Sequence, residues 1–155
     1  MQSRLKTLLR MKNLFDSVEE LHASELRRTT AAVVEAQQTI AAEQRGMRVI
    51  ELDGRDAMFA GDGDGRVLAE VRHEIALLRQ EALDKIREER EQLSEAAKKQ
   101  HAASRLKKEQ MSRVFDAIAA KVEIEEGRRA QSASDDRFLA RRRWTDAHER
   151  SHKRG

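Results

Sequence analysis

The turn signals of this chain are crowded into one place. Proline is absent, and four of the seven glycines fall within residues 53–65, which read DGRDAMFAGDGDG. Without proline nothing compels a helix to stop, and a glycine-rich run is where a long helix most easily breaks. Two long arms joined at one hinge are therefore expected: arm one over residues 3–52, a hinge at 53–65, and arm two over 66–127, continuing or frayed over 128–155.

Apolar spacing says what the arms are. From Leu8, apolar or small residues recur at steps of three and four through Met11, Phe15 and Val18. After one shift of register around His22 they continue through Leu26, Thr29, Val33, Ala36, Ile40 and Met47. That alternation is the heptad pattern of a helix with a single apolar stripe. Beyond the hinge, Asp64 can cap a second helix. Its stripe is expected to read Leu68, Val71, Ile75, Leu78, Ala82 and Ile86, to weaken through Leu93, Ala96 and Ala103, and to strengthen again at Met111, Val114, Phe115, Ile118 and Val122. Neither helix can bury its own stripe, and two connected helices most simply do so by folding back on each other. The expected fold class is all-α: one long two-helix antiparallel coiled-coil hairpin, with Leu8–Val18 near Phe115–Val122 at its open end.

Composition agrees with a thin seam. Aromatic residues make up 3% and charged residues 38%, against about 25% charged in an average domain. The large side chains that fill a deep core are scarce, so a stripe is affordable where several layers are not. The absence of cysteine removes disulfides, thiolate ligands and cysteine nucleophiles, and suits a reducing compartment. No run approaches a bilayer-spanning length, and the N-terminus lacks the apolar block of a signal peptide. A cytoplasmic protein without membrane insertion is expected.

The net charge of +3 is unevenly placed: residues 66–127 balance at 13 basic and 13 acidic, whereas 128–155 carry 9 and 4. Mixed charge along the arms reads as a solvated face, with i,i+4 pairs expected at Glu81–Lys85, Glu95–Lys99, Glu109–Arg113 and Glu125–Arg129. His148-Glu149-Arg150-Ser151-His152 matches the zinc-protease pattern in letters. Three cationic neighbours, Arg150, Lys153 and Arg154, and the lack of a surrounding apolar scaffold favour a charged tail instead. Asp62-Gly63-Asp64-Gly65 has the look of a calcium loop, but His73 stands where the bidentate Glu is required. His22 reads as a polar seam residue that sets register, and His73 and His101 have no catalytic partner at a recognisable spacing. Arg141-Arg142-Arg143-Trp144 is the densest basic run. It could stack and neutralise a nucleic acid, but in a chain otherwise near neutrality a basic patch for a protein partner is the simpler expectation. No enzyme activity, cofactor, metal or small-molecule substrate is expected.

Three features together, the N-terminus RLKTLLRMKNLFDSVEELHASELRRTTAAVVEA, the charged hairpin and the ending DDRFLARRRW, resemble the FliJ/YscO family, the central-stalk coiled coils of flagellar and virulence-associated type III secretion systems. The ending leans the resemblance toward the virulence branch. The resemblance implies a stalk, similar to the coiled-coil part of a rotary ATPase γ subunit, located in the cytoplasm at the inner-membrane base of the secretion apparatus. Its implied partners are the hexameric export ATPase, the export gate protein and export chaperones. By analogy the ATPase-facing end would draw on Leu5, Leu8, Met11 and Phe15 with Phe115, Ile118, Val122, Phe138 and Trp144, and Arg141–Arg143 would form a basic partner patch. The hinge departs from the family pattern by lying well before the midpoint and by its richness in Gly and Asp. A generic coiled-coil scaffold and a nucleic-acid-binding helical hairpin are the alternative readings.

Overall fold

The computed structural model describes residues 2–155. Two helices, α1 (Gln2–Ala60) and α2 (Gly63–Arg154), contain all of these but Gly61, Asp62 and Gly155, and no strand occurs among them. The helices pack against each other as a helical hairpin, so the all-α expectation holds. The hinge is far shorter than the 13 residues expected. Residues 53–60 remain helical, and the reversal is confined to Gly61 and Asp62.

Both helix ends are closed at that turn. The Gly61 N–H donates to the Met58 carbonyl at 3.3 Å and the Asp62 N–H to the Ala57 carbonyl at 2.9 Å. With Gly61 at φ +70°, this is a Schellman stop, which needs a left-handed residue that only glycine adopts without penalty. Asp62 then starts α2. Its Oδ1 accepts from the Gly65 N–H at 3.0 Å, and its carbonyl takes the first helical bond from Arg66 at 3.1 Å. Asp62, not Asp64, is therefore the N-cap, and Asp64 lies in the first turn of α2, where a carboxylate favours the positive helix end. The same role accounts for the Asp-Gly-Asp-Gly letters that resemble a calcium loop.

Packing divides the chain into two units. In the first, Ser17–Leu106, an unbroken heptad of covered positions on α1 runs Glu19, His22, Leu26, Thr29, Val33, Ala36, Ile40, Glu43, Met47, Ile50, Gly54 and Ala57, flanked by half-covered Val18, Ala23, Glu25, Ala32 and Ala41. The matching heptad on α2 runs Gly65, Ala69, His73, Ala76, Gln80, Leu83, Arg87, Arg90, Ser94, Ala97, His101 and Ser104, again without a skip, with Asp84 half-covered beside it. The register shift expected around His22 does not occur, because polar residues occupy the seam there and keep the heptad intact. In the second unit, the stretch up to Asp16 with Lys107–Gly155, Leu5, Leu8, Lys12 and Phe15 of α1 are half-buried. They share that unit with Lys108, Met111, Phe115, Ile118 and Val122 of α2, also covered. Lys12 places its Nζ over the Phe115 ring, 4.9 Å from the centroid, a cation–π contact that joins the two helices.

The stripe expected on α2 before Met111 is not the seam. Leu68, Val71, Ile75, Leu78, Ala82, Ile86, Leu93, Ala96 and Ala103 are all exposed, as is Val114 farther on. Beside a two-residue turn the helices must approach closely, so small residues have to face each other. A Cβ on Gly65 would meet the Ala57 Cβ at 3.2 Å, and one on Gly54 would meet the Ala69 Cβ at 3.2 Å. Leu68 or Val71 would not fit in that position. Once Gly65 and Ala69 face α1, the heptad carries that rotation down α2 and turns the more apolar stripe outward.

The resulting seam is thin. Its buried apolar residues are Ala36, Ile40, Ala76, Ala97 and Val122, and no large side chain among the described residues is fully enclosed. Half-buried apolar residues such as Leu26, Val33, Met47 and Leu83 share the seam with polar side chains, several of which are paired. The His22 Nδ1 and Ser104 Oγ are hydrogen-bonded, which fits His22 as a polar seam residue. His101 Nε2 donates to Glu19 Oε1 at 3.0 Å, and Arg90 Nη1 donates to the Ala32 carbonyl at 2.9 Å. On the surface, Glu95 is met by Lys98 at 3.1 Å, one residue short of the expected Lys99.

Candidate docking surfaces

The candidate site residues all fall in the unit formed by the stretch up to Asp16 and Lys107–Gly155, but the structure sorts them into two kinds. Leu5, Leu8, Phe15, Phe115 and Ile118 are half-buried, and Val122 is buried. These residues are held between α1 and α2. Met11, Phe138 and Trp144 are exposed. Only this second kind offers apolar surface without opening the hairpin.

From Glu126 onward every residue of α2 is exposed, yet the helix continues to Arg154. Of the two courses expected for 128–155, continuing or frayed, the helix continues, and Gln131 Nε2 donates to Asp135 Oδ1 one turn ahead, at 3.1 Å. This segment carries Phe138, Leu139 and Trp144, with Trp144 64% exposed. Arg141, Arg142 and Arg143 are exposed beside them. Three consecutive helical positions point in directions about 100° apart, so the run forms a collar of positive charge and not a single basic face. Trp144 stacks on His148, ring centroids 3.9 Å apart. One face of the indole is thereby taken, and His148 is drawn toward Trp144 within the HExxH letters. Among the described residues, no group of three or more His, Asp or Glu side chains is placed to hold a metal ion.

No family model, curated protein or solved structure matches the chain. No helix among the described residues is long and apolar enough to cross a membrane. A concavity of about 620 Å³ lies near the turn between Ile50, Gly54, Met58, Ala69 and His73. It is a shallow trough where the small residues of the close approach leave room, with Arg55, Arg66, Glu51 and Glu74 at its margins. His73 Nε2 and Glu51 Oε1 bridge the two helices there at 3.6 Å. The trough lacks the enclosure and converging polar groups of a small-molecule site. Leu139, 47% exposed next to Phe138, adds to the same C-terminal segment of α2.

Proposed function

We propose that the chain is a non-enzymatic stalk or adaptor of a bacterial type III secretion system. It docks into the hexameric export ATPase through the C-terminal part of α2 and links that ATPase to the export gate and export chaperones at the cytoplasmic base of the apparatus. The observation that carries this reading is the exposed helical segment 126–154, with Phe138, Leu139 and Trp144 bare among arginines. An isolated helix in water gains little from propensity alone, and protein helices owe most of their stability to a covered apolar face. A segment that keeps its helix with bulky side chains uncovered is suited to receive its cover from a partner, and aromatic residues with arginine are the side chains that most often dominate such contacts. The resemblance of the two termini to the FliJ/YscO family supplies the identity of that partner.

Co-purification of the full chain with a hexameric secretion ATPase tests the proposal. Phe138→Ala with Trp144→Ala is expected to lower capture at least about tenfold, as loss of two central anchors does, while the helical signal is retained. Absence of ATPase capture by the unaltered chain would defeat the reading. DNA binding that falls steeply with salt would shift it to the nucleic-acid alternative.

A further inference from the structure

The strongest uncovered feature outside that segment is the outward stripe of α2. Leu68, Val71, Ile75 and Leu78 are 49%, 48%, 45% and 66% exposed, and Ala82 is exposed after them. Their steps of three, four, three and four form a second heptad seam on the face of α2 turned away from α1. A stripe with that spacing fits another helix and little else, since a flat or irregular surface does not repeat with the helix.

The charges beside the stripe indicate which helix. Arg72 and Arg79 stand four residues after Leu68 and Ile75, while Glu74 and Glu81 stand six residues after the same two. One edge of the stripe is therefore basic and the other acidic. None of the four makes an ion pair among the described residues. In a parallel, in-register pair of such helices, the residue six after one stripe position faces the partner's residue four after the next. Glu74 then meets Arg79 of the second copy, and the twofold axis repeats the pair. In an antiparallel pair each edge meets its own kind, Glu against Glu and Arg against Arg, which disfavours it.

We propose that this face is a homodimer interface, in which α2 of two copies pair in parallel through Leu68, Val71, Ile75, Leu78 and Ala82. The interface is isologous, with each stripe residue meeting its own counterpart across the axis. Past Ala82 the same positions become Lys85, Glu89 and Gln92. The seam is therefore short, and association depends on concentration and is not obligate. It stands apart from the secretion reading, whose docking segment lies beyond residue 125.

Sedimentation equilibrium of the full chain is the direct test. The expected result is a monomer–dimer equilibrium that Leu78→Glu weakens at least tenfold without loss of helicity, since Leu78 makes little intrachain contact. Glu74→Arg weakens the dimer, and adding Arg79→Glu restores it. Leu78→Cys, in a chain with no other cysteine, cross-links to itself on oxidation. If Leu78→Glu disturbs the helix, the charge-reversal pair alone decides, because it alters no apolar contact. A chain that stays monomeric throughout overturns the proposal and leaves the stripe to a different protein. A dimer indifferent to Leu78→Glu, or tightened by Glu74→Arg, overturns it as well.

Discussion

Gly61 and Asp62 concentrate the reversal of the chain into two positions, each with a separate physical duty. Gly61 holds φ at +70°, where a Cβ costs about 1–2 kcal/mol. Gly61→Ala is expected to destabilise the hairpin by about that amount in urea denaturation, although nothing within 4 Å obstructs the added methyl. Asp62→Ala removes the cap on the Gly65 N–H and should cost about 1 kcal/mol, with Asp62→Asn costing far less. Glu25 and Arg28 show an exposed pair whose effect is felt in titration more than in stability. The Arg28 guanidinium donates to both Glu25 carboxylate oxygens, Nη2 at 2.6 Å and Nε at 3.0 Å, and these hydrogen bonds hold the Glu25 carboxyl below its usual value. A lowered carboxyl pKa contributes stability above the unfolded-state pKa and loses it as pH falls through the folded value. Carboxyl NMR titration should therefore show Glu25 titrating low, and Arg28→Gln should return it upward.

At the scale of the helix, the question is which stripe each arm spends on the other. On α1 the apolar residues and the seam coincide, so Leu26, Val33, Ala36, Ile40 and Met47 were legible from spacing alone. On α2 two heptad stripes exist, and spacing cannot rank them. The more apolar one looked like the seam, whereas the turn selected the one running through Ala69 and His73 because Gly54, Ala57, Gly65 and Ala69 permit the close approach. The difference is measurable at dilutions where the chain is monomeric. Ile40→Ala, at a position only 7% exposed, should cost about 2 kcal/mol in urea denaturation, the lower end for a buried aliphatic because the seam is thin. Leu78→Ala should change stability by less than about 0.5 kcal/mol, as surface substitutions do. Equal costs at the two sites would mean that Leu78 belongs to the intrachain seam.

For the molecule as a whole, the proposed docking segment and the contacts that hold the hairpin lie in different residues. The α1–α2 contacts end near Val122 and Glu125, and nothing after Glu125 is covered. Truncation after Glu125 is therefore expected to leave the urea transition within about 0.5 kcal/mol of the full chain, while abolishing capture of the export ATPase. A large loss of stability on truncation would place residues 126–155 in the folding unit and remove the basis for treating them as a docking segment. Of the nine residues that the family resemblance implies for ATPase contact, Leu8, Phe15, Phe115, Ile118 and Val122 also lie on the stripes read from spacing and are covered in the hairpin. The exposed set, Met11, Phe138 and Trp144, could be separated from them only by knowing which side chains the hairpin covers.

Proline's absence, helix-favouring composition, heptad spacing and one glycine cluster were enough to require two long helices and a single reversal, because each acts locally along the chain. The rotation of α2 about its own axis was not a local property. It depends on how near two backbones come beside a two-residue turn, and that distance placed alanine, serine, histidine and arginine between the helices and left a leucine-rich stripe facing outward.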